Sequence, residues 1–234
     1  MSDRYGDVPD GGRLVAIVGG LGVYPMARLP LPARRILAYL ALRVRPVLRS
    51  VASAELWPDV PDGTARANLR RALWQLPRGW VEPVGDELVL AARSDLDRAR
   101  RAAARAIAGE ALTLEEIELL SNDILPGWHE EWVLPEYEAF HLLRVQALEA
   151  ACRTMAMSGN HALATQAGAA AIAAEPLRES AAEALIDAHL AQRNRYEAVL
   201  CFRLLAQRLD RELGVTPDPA LRERVIGNGL PLQH

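Results

Sequence analysis

Short apolar runs open the chain and long amphipathic periodicities close it, with the change of pattern near residue 95. Leu14-Val15-Ala16-Ile17-Val18 and Leu21-Gly22-Val23-Tyr24 are separated by Gly19-Gly20 and followed by Pro25, Pro30 and Pro32. Runs this short, punctuated by glycine and proline, predict two or three strands with turns. Over 33–44 the apolar spacing changes to three and four. Ile36, Leu37, Leu40 and Ala41 then share one face of a helix, while Arg34, Arg35 and Arg43 project elsewhere. A shorter helix is predicted over 50–57, with Ser50 as its N-cap and Trp57-Pro58 as its end. A third covers 63–76, capped by Asp62 or Thr64 and stopped by Pro77 and Gly79. Two extended runs, Trp80–Val84 and Glu87–Leu90, flank Gly85-Asp86 and predict a hairpin. Strands, three helices and a hairpin form the element order of a winged helix-turn-helix with an N-terminal sheet.

Beyond Asp95 the strand signals stop. An Arg/Ala helix is predicted over 97–108, and amphipathic helix continues nearly to the end, broken at Gly109, Pro126-Gly127, Pro135, Ser158-Gly159, Pro176, Asn194 and Gly214. Asn160-His161-Ala162-Leu163-Ala164 recurs 34 residues later as Asn194-Arg195-Tyr196-Glu197-Ala198. That is the tetratricopeptide period, with alanine at packing positions and a polar turn before each unit. The expected fold is mainly α with a small β component. An N-terminal winged helix-turn-helix (13–93) is followed by an all-α tetratricopeptide-like helical-repeat domain (95–226), with a disordered tail at 1–12 and a second tail at 227–234.

Charge sharpens this division. The net charge of −3 combines a basic block with an acidic remainder: residues 28–78 hold 10 Arg against 3 acids, net +7. Such a block suits a phosphate-binding module beside a separate partner domain. All the basic residues are Arg, which a GC-rich genome explains as readily as guanidinium recognition does.

The third helix carries the chemistry. On a helical wheel Ala65, Leu69, Ala72, Leu73 and Leu76 form one apolar stripe. Thr64, Ala67, Arg71, Trp74, Gln75 and Arg78 fall opposite, with Asn68 and Arg70 on the flanks. Arginine pairs with guanine edges, Asn or Gln with adenine, and Thr with phosphate or a thymine methyl. An Arg-rich outer face is by itself ordinary solvated surface. Three features favour DNA reading here: the net +7, the absence of any acid between Thr64 and Gly79, and the strand–helix–hairpin context. Trp74 is expected to pack under the wing. Arg34, Arg35 and Arg49 are the further candidates for holding phosphates.

Leu31–Leu42, Ala54-Glu55-Leu56-Trp57 and Ala65–Trp74 resemble the winged helix of the Streptomyces antibiotic regulatory protein family. Asp95-Leu96-Asp97 looks like that family's domain junction. Leu125-Pro126-Gly127-Trp128, Glu131-Trp132-Val133, Pro176-Leu177-Arg178-Glu179 and Glu212–Leu221 are similar to its bacterial transcriptional activator domain. The resemblance spans about residues 13–226. It implies a sequence-specific activator that binds promoter direct repeats as side-by-side protomers and contacts RNA polymerase. It puts Thr64, Arg66, Asn68, Arg70 and Arg71 at recognition-helix positions and the Gly85-Asp86 wing beside the minor groove. Two departures stand out. Gln75 replaces an arginine common in the family, and Pro77 stops a helix that elsewhere runs on. The wing is also short, with no arginine until Arg93.

Other functions find little support. Gly19-Gly20-Leu21-Gly22 lacks the lysine and helix of a phosphate loop, and no nucleophile elbow is present. Glu115, Glu116 and Glu118 read as a solvated helix face, and His129-Glu130-Glu131 has no metal-ligand spacing. Cys152 and Cys201 read as buried thiols in a reducing cytoplasm. No signal peptide or membrane span is expected, and no enzyme activity, cofactor or metal. Two alternatives remain at this point: a helical-repeat interaction scaffold with a degenerate winged helix, and a regulator that senses a small molecule in its helical domain.

Overall fold

The structure, a computed structural model, describes residues 12–43 and 45–226. The expected terminal tails lie outside the described residues, apart from Gly12. Two compact units divide the chain, one formed by residues up to 99 with 122–140, the other by 100–121 with residues from 141 onward.

The first unit begins with two short antiparallel strands, β1 (Leu14–Ala16) and β2 (Gly22–Tyr24), in the register Val15↔Val23. Helix α1 (Leu31–Leu42) starts on Pro30 with Pro32 in its first turn, where a missing N–H costs nothing. Ile36, Leu37, Leu40 and Ala41 are buried as the spacing requires; Ala38, Tyr39 and Leu42 join them, so only a narrow face stays wet. Strand β3 (Val47–Leu48) runs directly into α2 (Arg49–Leu56). Ser50 is therefore not the cap. Leu48 takes the N-cap position in extended conformation, and the N–H of Arg49 donates to the carbonyl of Asp86 at 2.9 Å. Helix α3 (Asp62–Trp74) likewise starts on Pro61, not on an Asp62 or Thr64 cap. The Pro61 carbonyl accepts from Thr64 and Ala65, and Asp62 sits in the first turn, where its charge suits the helix dipole.

The wing follows as β4 (Val81–Val84) and β5 (Glu87–Leu90), joined by the two-residue turn Gly85-Asp86. Gly85 has φ +61°, the left-handed conformation that such a turn demands and glycine adopts freely. With β3 these strands form a three-stranded sheet in the order β3-β5-β4. Strand β6 (Arg93–Ser94) returns to lie parallel to β1, completing the sheet β2-β1-β6. Residues 122–133 reinforce that first sheet. Val18 bridges Ile124, and the N–H groups of Gly19 and Leu125 donate to the carbonyls of Asp123 and Ile17.

The chain leaves β6 through α4 (Asp95–Ile107), which continues into the second unit with α5 (Leu114–Leu120). Then come α6 (Leu134–Met157), which starts in the first unit, α7 (His161–Ala174), α8 (Glu179–Ala191), α9 (Arg195–Leu213) and α10 (Pro219–Ile226). The internal repeat is real at the level of single hydrogen bonds. Asn160 and Asn194 are the N-cap residues of α7 and α9. The residue before each, Gly159 and Arg193, is left-handed at φ +80° and +59° and donates to a carbonyl three residues back. Each asparagine N–H reaches five back, to Met155 and His189, at 2.9 Å in both cases. These are the paired bonds of a glycine-type helix stop. The later helices share a core of Ala182, Ile186, Ala198, Phe202, Leu205, Leu209, Leu221 and Val225. Alanine and glycine at the contacts let helices approach closely: a Cβ on Gly168 would lie 2.9 Å from Cys152 Sγ and 3.0 Å from Leu185. Cys152 is buried and its thiol donates to the Ala184 carbonyl, whereas Cys201 is only partly buried; both are free thiols.

Candidate nucleic-acid interface

Helix α3 buries Ala65, Leu69 and Ala72, the centre of the stripe read from the wheel. Contacts with α2 and α1 hold it, α2 and α3 being joined by the turn at 57–61. Thirteen residues make a rod of about 20 Å, long enough to follow a major groove through several base pairs.

The opposite face is open. Thr64, Arg66, Arg70 and Arg71 are exposed and Asn68 is half-buried. Gln75, the C-cap residue, and Arg78, in the turn beyond, are exposed as well. Trp74 is 90% exposed, which overturns its expected packing under the wing. Trp80, the residue before β4, is the buried indole of this stretch, at 3% exposure. The wheel had already set Trp74 on the outward face.

The outlying arginines divide. Arg34 is exposed on α1. Arg49 opens α2 half-buried beside the wing turn. Arg35 is turned inward: its Nε lies 3.4 Å from a Glu130 oxygen and its guanidinium stands 6.0 Å over the Trp57 ring. Arg45, exposed between α1 and β3, is a further cation of the basic block that the sequence reading left unassigned. Arg43 is committed elsewhere, bound to Glu55 at 2.8 Å and lying 4.9 Å over the Tyr39 ring. Burial, followed by the Glu55 carboxylate, pushes the Tyr39 hydroxyl well above its ordinary range, so it stays a neutral phenol. On α3 and its C-terminal turn Arg66, Arg70, Arg71 and Arg78 all remain exposed to meet a polyanion.

Among the described residues no group of three or more His, Cys, Asp or Glu could hold a metal ion, and no helix is long and apolar enough to cross a membrane.

The family model of the bacterial transcriptional activator domain matches residues 83–225. The chain belongs to that family. A solved structure of Mycobacterium tuberculosis EmbR in complex with a low-affinity phosphopeptide has the same fold, with a TM-score of 0.64 and 23% sequence identity over 91% of this chain. The present chain spans only 64% of the length of that one. No curated protein matches the chain. A bacterial transcriptional activator domain preceded by a winged helix is the make-up of a Streptomyces antibiotic regulatory protein, as the sequence motifs implied.

Proposed function

We propose that this member of the bacterial transcriptional activator domain family is a sequence-specific activator that binds double-stranded DNA at promoter direct repeats. Helix α3 enters the major groove, with Arg66, Asn68, Arg70, Arg71 and Gln75 reaching base edges and phosphates. Thr64, Arg78, Arg34 and Arg49 fix the register on the backbone, and Arg35 supports α1 from within. In this reading residues 13–93 bind DNA, and residues 95–226 contact a neighbouring protomer and RNA polymerase. The observation that carries it is the outward face of α3: exposed Arg66, Arg70, Arg71 and Gln75 with no acid from Thr64 to Gly79, while Ala65, Leu69 and Ala72 are buried behind them.

The test is selection of bound sequences from a random duplex pool, followed by titration at two salt concentrations. An enriched repeated motif is expected. An Arg70→Ala, Arg71→Ala double variant should lose the motif and flatten the salt dependence of log K by up to about 2, since each phosphate contact contributes about 0.9 to the slope. Weak binding with no enriched sequence would replace this reading with that of a protein-interaction scaffold.

A further inference from the structure

Helix α9 carries two neighbouring stripes. Ala198, Phe202, Leu205 and Leu209 are buried in the core of the later helices. Glu197, Leu200, Cys201, Leu204 and Arg208 fall on the adjoining face, within about 60° of Glu197 on the helical wheel. These five residues line a groove of about 390 Å³ inside the second unit. Ile172 of α7, Leu185 of α8 and Pro176 between those helices supply much of its remaining apolar lining. The volume lies within the range of small-molecule sites.

The lining restricts the occupant. Among the described residues no Phe, Tyr or Trp lines the groove, so it offers an aliphatic chain contacts along its length and an aromatic ring no stacking partner. Leu200 and Leu204 are 39% and 45% exposed and are its only large exposed apolar residues. Two leucines fall far short of the roughly 800 Å² per side that a stable protein partner covers.

Charge divides the groove. Glu197 and Arg208 stand about 16 Å apart along the axis of α9. Arg208 is half-buried, and among the described residues no carboxylate lies within ion-pair distance of it. Burial pushes the neighbouring Cys201 thiol up to about 11, and the Arg208 charge pulls the other way. The thiol therefore stays neutral, and the guanidinium acts on the groove from close by. A carboxylate at this end gains a charge-assisted, bidentate partner, whereas Glu197 repels an anion from the other end.

We infer that this groove binds a small aliphatic carboxylic acid as its anion, the chain lying along Leu200 and Leu204 and the carboxylate meeting Arg208. The site lies apart from α3, and its occupancy does not depend on whether α3 reads DNA.

The probes are decanoate, hexanoate and decyltrimethylammonium, titrated into the full chain with ¹³C-labelled leucine and isoleucine methyl groups. Decanoate should move the signals of Ile172, Leu200 and Leu204 together and saturate with a Kd below about 1 mM. Hexanoate, four methylenes shorter, should bind at least about twentyfold more weakly. Decyltrimethylammonium, which has the chain without the anion, should bind at least about fivefold more weakly than decanoate. An Arg208→Gln variant should lose at least about fivefold in decanoate affinity and keep its Tm, since no ion pair is broken. Unmoved groove signals at about 5 mM decanoate, equal binding of the cation, or an Arg208→Gln titration like that of the unaltered chain would overturn the inference. Leu200 and Leu204 signals that broaden with protein concentration before any probe is added would also overturn it, assigning the groove to a second copy of the chain. The three probes compared on the unaltered chain decide the matter even if the variant does not fold.

Discussion

The carboxylate of Asp95 accepts a hydrogen bond from the backbone N–H of Ile17 at 2.8 Å, joining residues 78 apart in the chain. Its second oxygen takes the N–H of Val18 at 3.2 Å. Asp95 is 4% exposed and opens α4 directly after β6, which pairs with β1. One buried side chain thus satisfies the backbone just past the end of β1 and places its charge at a helix start, where the dipole favours it. Replacing it by alanine strands two buried donors, so Asp95→Ala should lose about 2–4 kcal/mol in urea unfolding. Asp95→Asn keeps one acceptor oxygen and should lose less than half of that. A loss below about 1 kcal/mol for the alanine variant would mean that water replaces the carboxylate.

Gly159 and Arg193 occupy the same place in consecutive repeats, and only one of them suits it. A left-handed residue costs about 1–2 kcal/mol when it carries a Cβ, and Arg193 sits there at φ +59°. Arg193→Gly should therefore raise stability by about 0.5–1 kcal/mol, the relief being reduced by the greater freedom of glycine in the unfolded chain. Gly159→Ala should lower it by about 1 kcal/mol. Opposite signs in chemical denaturation would show that the two turns are not equivalent.

Local chemistry made much of this fold legible. Asn160 and Asn194, 34 residues apart, predicted two corresponding helix starts because a polar turn is read within a few residues of the helix it precedes. Gly85-Asp86 marked the wing turn for the same reason. Relationships set by distant partners were not legible. Strand β3 is two residues long and exists because β5 accepts it. Asp95 marked a junction by resemblance, but nothing nearby revealed that it serves Ile17. The expected caps Ser50 and Asp62 or Thr64 failed because other contacts set where each helix starts: the Arg49 N–H donates to the Asp86 carbonyl of the wing turn and Pro61 precedes α3, and neither helix has a side-chain cap. Of the candidate interface, the outward face of α3 was readable from helical periodicity alone. The inward turn of Arg35 was not, because Glu130 lies 95 residues further along the chain.

Trp74 offers a clean separation of folding from binding. At 90% exposure its indole contributes almost nothing to the core, so Trp74→Ala should change stability by less than about 0.5 kcal/mol. In the proposed complex it stands beside Arg71 and Gln75 at the end of the reading helix. Its removal should weaken DNA binding by about 1 kcal/mol or more, the scale of an aromatic contact to a base or sugar. Equal affinity of the variant for its selected site would remove Trp74 from the interface and leave the arginines to account for binding.

His189 gives the second unit a sensitivity to mild acid. It lies on α8 in a groove with Glu197, Cys201 and Arg208 from α9, and its Nδ1 is buried without a partner. Burial lowers its pKa below the ordinary value of 6.5, with the Glu197 charge opposing. Above pH 6.5 the ring is neutral both folded and unfolded, and its contribution to stability is fully present. As pH falls below 6.5 the unfolded chain takes up a proton that the folded chain resists, so stability is lost toward the lower folded-state pKa. His189→Leu removes both the proton and the orphaned nitrogen. Its Tm should match or exceed that of the unaltered protein at pH 7.5, and the gap should widen at pH 6.5 and again at pH 5.5. A gap that stays constant over this range would show that the groove admits the imidazolium as readily as water does, and the acid sensitivity would have to come from other groups.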